Sequence, residues 1–202
     1  GDFTVRNLPP VSGLSDPYAK IRSISNHLPK GQSQMGLDMY LYVEKYVSRM
    51  DYNRDANGDL DASVRQQFTD IVNTLGVSNL IDSDSWTGLT VNVPIGYWRK
   101  ANAIHNYIVK EFANGVDECQ EIGVSRENLA TLRDFCNLTI QSYEQTNSTT
   151  MAESVLPTTS GFFFGSTEYD EWYFRDLQNT VEIIDRALAD EANDWFIYRA
   201  SW

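Results

Sequence analysis

Apolar positions along this chain recur mostly at three- and four-residue spacing, the mark of amphipathic helices. Leu37, Leu41, Val43, Val47 and Met50 predict a first helix over about 34–50, with Ser33 as its cap and Tyr40, Tyr42 and Tyr46 widening its buried side. Val64, Phe68, Ile71, Val72 and Leu75 predict a second, and Gly76 supplies the left-handed residue that often follows a helix. Tyr97, Ala101, Ile104, Ile108 and Phe112 predict a central helix between Pro94 and Asn114-Gly115. A single helical turn follows over 116–121. Ser125 then caps a helix with Leu129, Leu132, Cys136, Ile140 and Tyr143 inward. Tyr173, Leu177, Val181, Ile184 and Leu188 mark the last.

Strand periodicity is confined to two places. Leu89, Val91 and Val93 alternate with Thr90 and Asn92, and Trp195-Phe196-Ile197-Tyr198 reads as a closing strand to pair with them. Residues 1–30 read as an extended arm, with an edge strand at 3–8 ended by Pro9-Pro10 and a short helix at 18–27. The Ser- and Thr-rich stretch 146–156 reads as a flexible connection. The fold class expected is mainly α with a small β-sheet (α+β): a single-domain helical bundle over 1–202, of about five helices, with short strands near 89–93 and 195–199. A chain of 202 residues is long enough for one sizeable core.

Charge narrows the function. A net charge of -12 repels phosphate backbones, which argues against direct nucleic-acid binding and for partners with basic surfaces. Nothing reads as a transmembrane run or a signal peptide. The two cysteines, Cys119 and Cys136, lack metal-ligand spacing and fall on predicted helices, so a reduced cytoplasmic protein is the simpler reading. The Asn-x-Thr triplets at Asn137 and Asn147 then carry no meaning.

Three constellations offer chemistry. Asn53, Asp55, Asn57, Asp59 and Asp61, with Gly58 between them, follow the register of an EF-hand loop, but Val64 stands where the bidentate Glu belongs. A weak calcium site is the chemical option and an Asx-rich turn the plainer one; no other cofactor is expected. On the central helix, Arg99, Lys100, Asn102 and His105 form a set suited to a phosphate or carboxylate, with Trp98 beside them. Against this stands the plain reading of solvated or internally paired side chains. The segment Ser160-Gly161-Phe162-Phe163-Phe164-Gly165-Ser166, followed by Tyr169, Asp170, Glu171, Trp172 and Tyr173, offers an aromatic wall with nearby carboxylates for a flat or cationic group or, more simply, a hydrophobic plug. There is no G-x-S-x-G, Walker loop, dinucleotide fingerprint or H-E-x-x-H, so no motif supports an enzyme.

The runs Gly96-Tyr97-Trp98-Arg99-Lys100-Ala101-Asn102-Ala103-Ile104-His105, Gly115-Val116-Asp117-Glu118-Cys119 and Ser160–Ser166 with Glu168-Tyr169-Asp170 resemble a family of small, uncharacterised bacteriophage-encoded proteins, over about residues 94–202. The resemblance implies a viral gene product acting in the cytoplasm of an infected bacterium, or carried in the virion, and favours accessory roles such as blocking a host defence. It transfers no catalytic residue. The leading expectation is therefore a non-enzymatic protein that sequesters a small anionic, nucleotide-like ligand through Arg99, Lys100, Asn102 and His105, with stacking on Trp98, Phe163 or Tyr169. The alternatives are an acidic inhibitor that occupies a basic surface of a host protein, as a nucleic-acid mimic, and a virion structural component that forms a homo-oligomer. A hydrolase comes last.

Overall fold

Leu37, Met39, Leu41 and Val43 fall at every second position, and in the computed structural model, which describes residues 36–49, 57, 62–81 and 88–202, all four are buried. From Asp38 to Val47 the backbone is a strand, β1, where the helical reading of 34–50 fails. Tyr40 and Tyr42, counted as apolar, conceal the alternation. They lie on the opposite face, half-buried, where aromatic side chains suit a pleated surface.

Three more strands join it: β2 (Leu89–Arg99), β3 (Ile122–Ser125) and β4 (Trp195–Ser201). Their order is β2-β1-β4-β3, antiparallel throughout, so β1 separates the two segments expected to pair with each other. The expected helical bundle with short added strands is thus corrected to an α+β fold built on a four-stranded antiparallel sheet. β2 itself runs on through Tyr97 and Trp98, which the pattern had assigned to the central helix. A register shift between Leu41 and Tyr42 pairs them with Gly96 and Pro94, leaving Ile95 as the extra residue of a bulge. Pro94 has no N–H to donate, a lack that an edge strand tolerates. The bulge is what breaks the alternation of β2 and makes its second half look helical.

The helices are α1 (Ala62–Leu75), α2 (Asn102–Phe112), α3 (Arg126–Thr146), α4 (Thr150–Val155) and α5 (Glu171–Ala189), with a 3-10 turn at Ser78–Leu80. Ser125 caps α3 as expected, its hydroxyl accepting from the Asn128 N–H at 3.2 Å. Residues 116–121 are not helical, so Cys119 sits exposed on a loop rather than on a helix. The stretch expected to be a flexible connection contains α4.

One face of the sheet forms the core. Met39, Leu41, Trp98, Phe196 and Tyr198 meet Ile104 and Ile108 of α2, Leu132 and Cys136 of α3, and Leu177 and Ile184 of α5. Each fully buried large side chain contributes about 1.5–3 kcal/mol over exposure. At Gly96, α5 packs closely on the sheet: a Cβ there would stand 2.5 Å from Ile183 Cγ2. All these elements belong to the unit Met35–Trp202. The strand expected at 3–8 and the helix expected at 18–27 lie outside the described residues. Among the described residues, no helix is long and apolar enough to cross a membrane.

Candidate functional site

Between the end of β2 and the start of α2 the chain turns on Lys100, whose φ of 59° is left-handed. Two backbone bonds fix this turn: the Lys100 N–H donates to the Leu37 carbonyl at 2.7 Å, and the Asn102 N–H to the Lys100 carbonyl at 2.9 Å. Gly165 packs against it with φ of 87°, a backbone conformation that favours glycine, and a Cβ there would sit tightly at 3.1 Å from Lys100 Cβ. Ala101 stands at the N-cap of α2 and provides no side-chain acceptor.

Asn102 anchors the Phe-rich loop. Its amide donates to the carbonyls of Phe164 (3.0 Å) and Ser166 (2.7 Å), and its oxygen accepts from the Thr159 N–H at 3.1 Å. One turn on, Asn106 donates to the Pro157 carbonyl at 2.9 Å. Phe164 is driven into the core, edge-on to His105 and Trp202, and the Phe163 carbonyl accepts from the Leu37 N–H. Phe162 is left 93% exposed. The loop is therefore a plug with one aromatic tip outside it.

His105 is buried in a polar chain, with Nδ1 2.7 Å from the Tyr198 hydroxyl and Nε2 3.0 Å from Asp117 Oδ2. Burial, and after it the charge of Asp117, pushes the Tyr198 phenol well above its ordinary pKa, so the phenol stays protonated and donates to Nδ1. The carboxylate only accepts, which places the imidazole proton on Nε2. Every polar position of the ring is satisfied by a neighbour.

A cavity of about 270 Å³ opens between the β2–α2 turn and α5. Its apolar lining comes from Ala101, Tyr173 and the exposed Trp172, with Ile104 and Leu177 fully buried; its charged lining comes from Arg99 and Lys100 of the β2–α2 turn and from Glu168, Asp170 and Asp176 of α5 and the segment before it. Arg99 pairs with Asp38 at 3.6 Å, and the same carboxylate oxygen accepts from the Tyr97 hydroxyl at 2.6 Å. Burial and this bond push the Tyr97 phenol up to about 12. Asp170 caps α5, one oxygen accepting from the Trp172 and Tyr173 N–H groups at 3.0 and 3.1 Å. Asp176 is half-buried on the same helix, and burial, then repulsion from Asp170, raises its pKa to about 6.

Of the residues expected to hold a ligand, Arg99, Lys100 and Asn102 reach this cavity, although the Asn102 amide is already engaged by the loop. Trp98 and His105 lie in the core. The Trp98 indole donates to Thr180 Oγ1 at 2.8 Å, and that hydroxyl donates to the Asp176 carbonyl at 2.7 Å. Phe163 and Tyr169 do not line the cavity: Phe163 is half-buried against the core, and Tyr169 packs edge-on against Tyr173. Asp170, Trp172 and Tyr173, which the sequence placed beside the Phe-rich loop, do line the cavity, whereas Glu168 and Asp176 were not read as site residues. For Asp176 a signal exists in its position, next to Leu177 and one turn from Tyr173 and Thr180 on the buried stripe. Of the acidic loop only Asn57 is described, an exposed turn residue; Asn53, Asp55, Asp59 and Asp61 lie outside the described residues, among which no group of three or more potential metal ligands occurs. No family model, curated protein or solved structure matches this chain.

Proposed function

We propose that the protein works by binding, offering an acidic exterior to a basic surface on a partner protein. The observation that carries this reading is the segment 168–194, which holds nine carboxylates against two arginines, with every carboxylate except Asp176 exposed. Trp172 stands exposed among them, flanked by Arg175, whose guanidinium lies 5.0 Å from the ring centre. A field of one sign along a helix steers and orients a partner of the opposite sign, and an aromatic side chain within it supplies contact area. The reading as a small-anion trap loses support on two counts. Asn102 and His105 are engaged inside the fold, and three carboxylates line the cavity beside Arg99 and Lys100. The phage resemblance would place the partner in an infected bacterium.

The test is capture of host proteins from a bacterial extract, followed by affinity measurement on the purified pair. Binding should weaken at least tenfold between about 50 and 300 mM NaCl. Triple substitution of Glu171, Glu182 and Asp185 to Lys should abolish it. A partner whose affinity ignores both salt and the triple substitution would end the proposal.

A further inference from the structure

We propose that the cavity between the β2–α2 turn and α5 binds an alkylammonium group, carried either by a small free amine or by a lysine side chain of another protein. The cavity shares Glu168, Asp170 and Asp176 with the acidic exterior, but this inference does not require that surface to have a partner. The cavity, at about 270 Å³, has room for a short aliphatic chain, and Ala101, Tyr173 and the exposed Trp172 offer that chain apolar contact. At its side stands Asp176, whose carboxylate has neither a hydrogen bond nor an ion pair among the described residues. A half-buried carboxylate has lost water without gaining a partner, so a cation placed against it gains more than it would from an exposed acid. Asp170 has one oxygen committed to capping α5, and Glu168 adds a third negative charge.

The two cations of the β2–α2 turn do not turn this into an anion site. Arg99 is paired with Asp38, and Lys100 forms no ion pair with Asp176 among the described residues. An incoming anion would meet three carboxylates. An ammonium group supplies three N–H donors to acceptors that are already in place. The titratable and charged groups that line the cavity with Asp176 are Asp170, Glu168 and Tyr173 from α5 and the segment before it, and Arg99 and Lys100 from the β2–α2 turn, and of these Asp170 is the charge that acts on Asp176. Of the carboxylates among them, Asp176 has its pKa raised to about 6, so affinity should rise as pH increases through that value and then level off.

The experiment is calorimetric titration of the whole protein with methylammonium, butylammonium, a lysine-containing peptide, its N-acetyl-lysine counterpart, acetate and inorganic phosphate. Butylammonium should bind saturably and more tightly than methylammonium, by about fourfold for each methylene that reaches the apolar wall. Asp176→Asn should cost at least tenfold, and Lys100→Ala should leave affinity unchanged or improve it. A peptide that outbinds butylammonium and loses this on acetylation assigns the cation to a protein; the reverse order assigns it to a free amine. The proposal is overturned if no amine saturates the site, or if Asp176→Asn binds as well as the parent. It is equally overturned if phosphate binds and Lys100→Ala abolishes that binding. The chain-length series needs no variant, so a folding defect in either substitution leaves the test intact.

Discussion

Asp176 shows how one misplaced charge can hold stability back. Its folded-state pKa of about 6 lies above the ordinary 3.8, so the native state retains a proton that the unfolded chain has lost between those values. Stability therefore falls as pH rises from about 4 to about 6, and the ionised group is a liability at neutrality. Asp176→Asn should raise stability at pH 7 by about 1–2 kcal/mol, a figure reduced from the full shift for solvent screening. The gain should vanish near pH 4, and urea unfolding at the two pH values measures it. Asn102 gives the contrasting lesson. The sequence marked it as a donor for a ligand, and as a residue type it is one, but its three partners are backbone groups 57–64 residues downstream. Which acceptor a side-chain amide meets is a matter of tertiary placement, and no local pattern encodes it. His105 was unreadable for the same reason, since its partners are Asp117 and, far along the chain, Tyr198.

At the scale of elements, long uninterrupted helices were the legible part. α1, α3 and α5 follow from their apolar stripes, and α3 also from its Ser125 cap, whereas Asp170 as the cap of α5 emerges only from the structure. Strands were harder to read, for two separate reasons. In β1 the outward face is tyrosine-rich, so counting tyrosines as apolar erased the period of two. In β2 the bulge at Ile95 shifts the phase midway, so that Tyr97, Ala101 and Ile104 fall at a spacing that mimics a helix although Tyr97 lies on a strand. Gly96 sits at that bulge, under α5. Gly96→Ala should force Ile183 aside and cost about 1–3 kcal/mol, read as a lower urea midpoint at unchanged slope. An effect below about 0.5 kcal/mol would mean that the helix and sheet are not in close contact there.

For the molecule as a whole, charge of one sign works against compactness. With a net charge of -12, repulsion between surface carboxylates opposes folding, and salt shortens its range. The thermal midpoint at neutral pH should therefore climb by several degrees between about 20 and 500 mM NaCl. A falling midpoint would show that ion pairs such as Arg133 with Asp134 and Asp185, or Arg199 with Glu121, outweigh the repulsion. The borders of the sheet carry a further consequence. Among the described residues, one rim is a strand interrupted by Pro94 and its bulge, and the other spans only Ile122–Ser125. Neither rim offers a long, regular ladder for an incoming chain to extend. These rims accordingly disfavour strand addition, so a partner that docks on this part of the sheet would read side chains, open to tuning by single substitutions, and the sheet is a poor seed for fibrils.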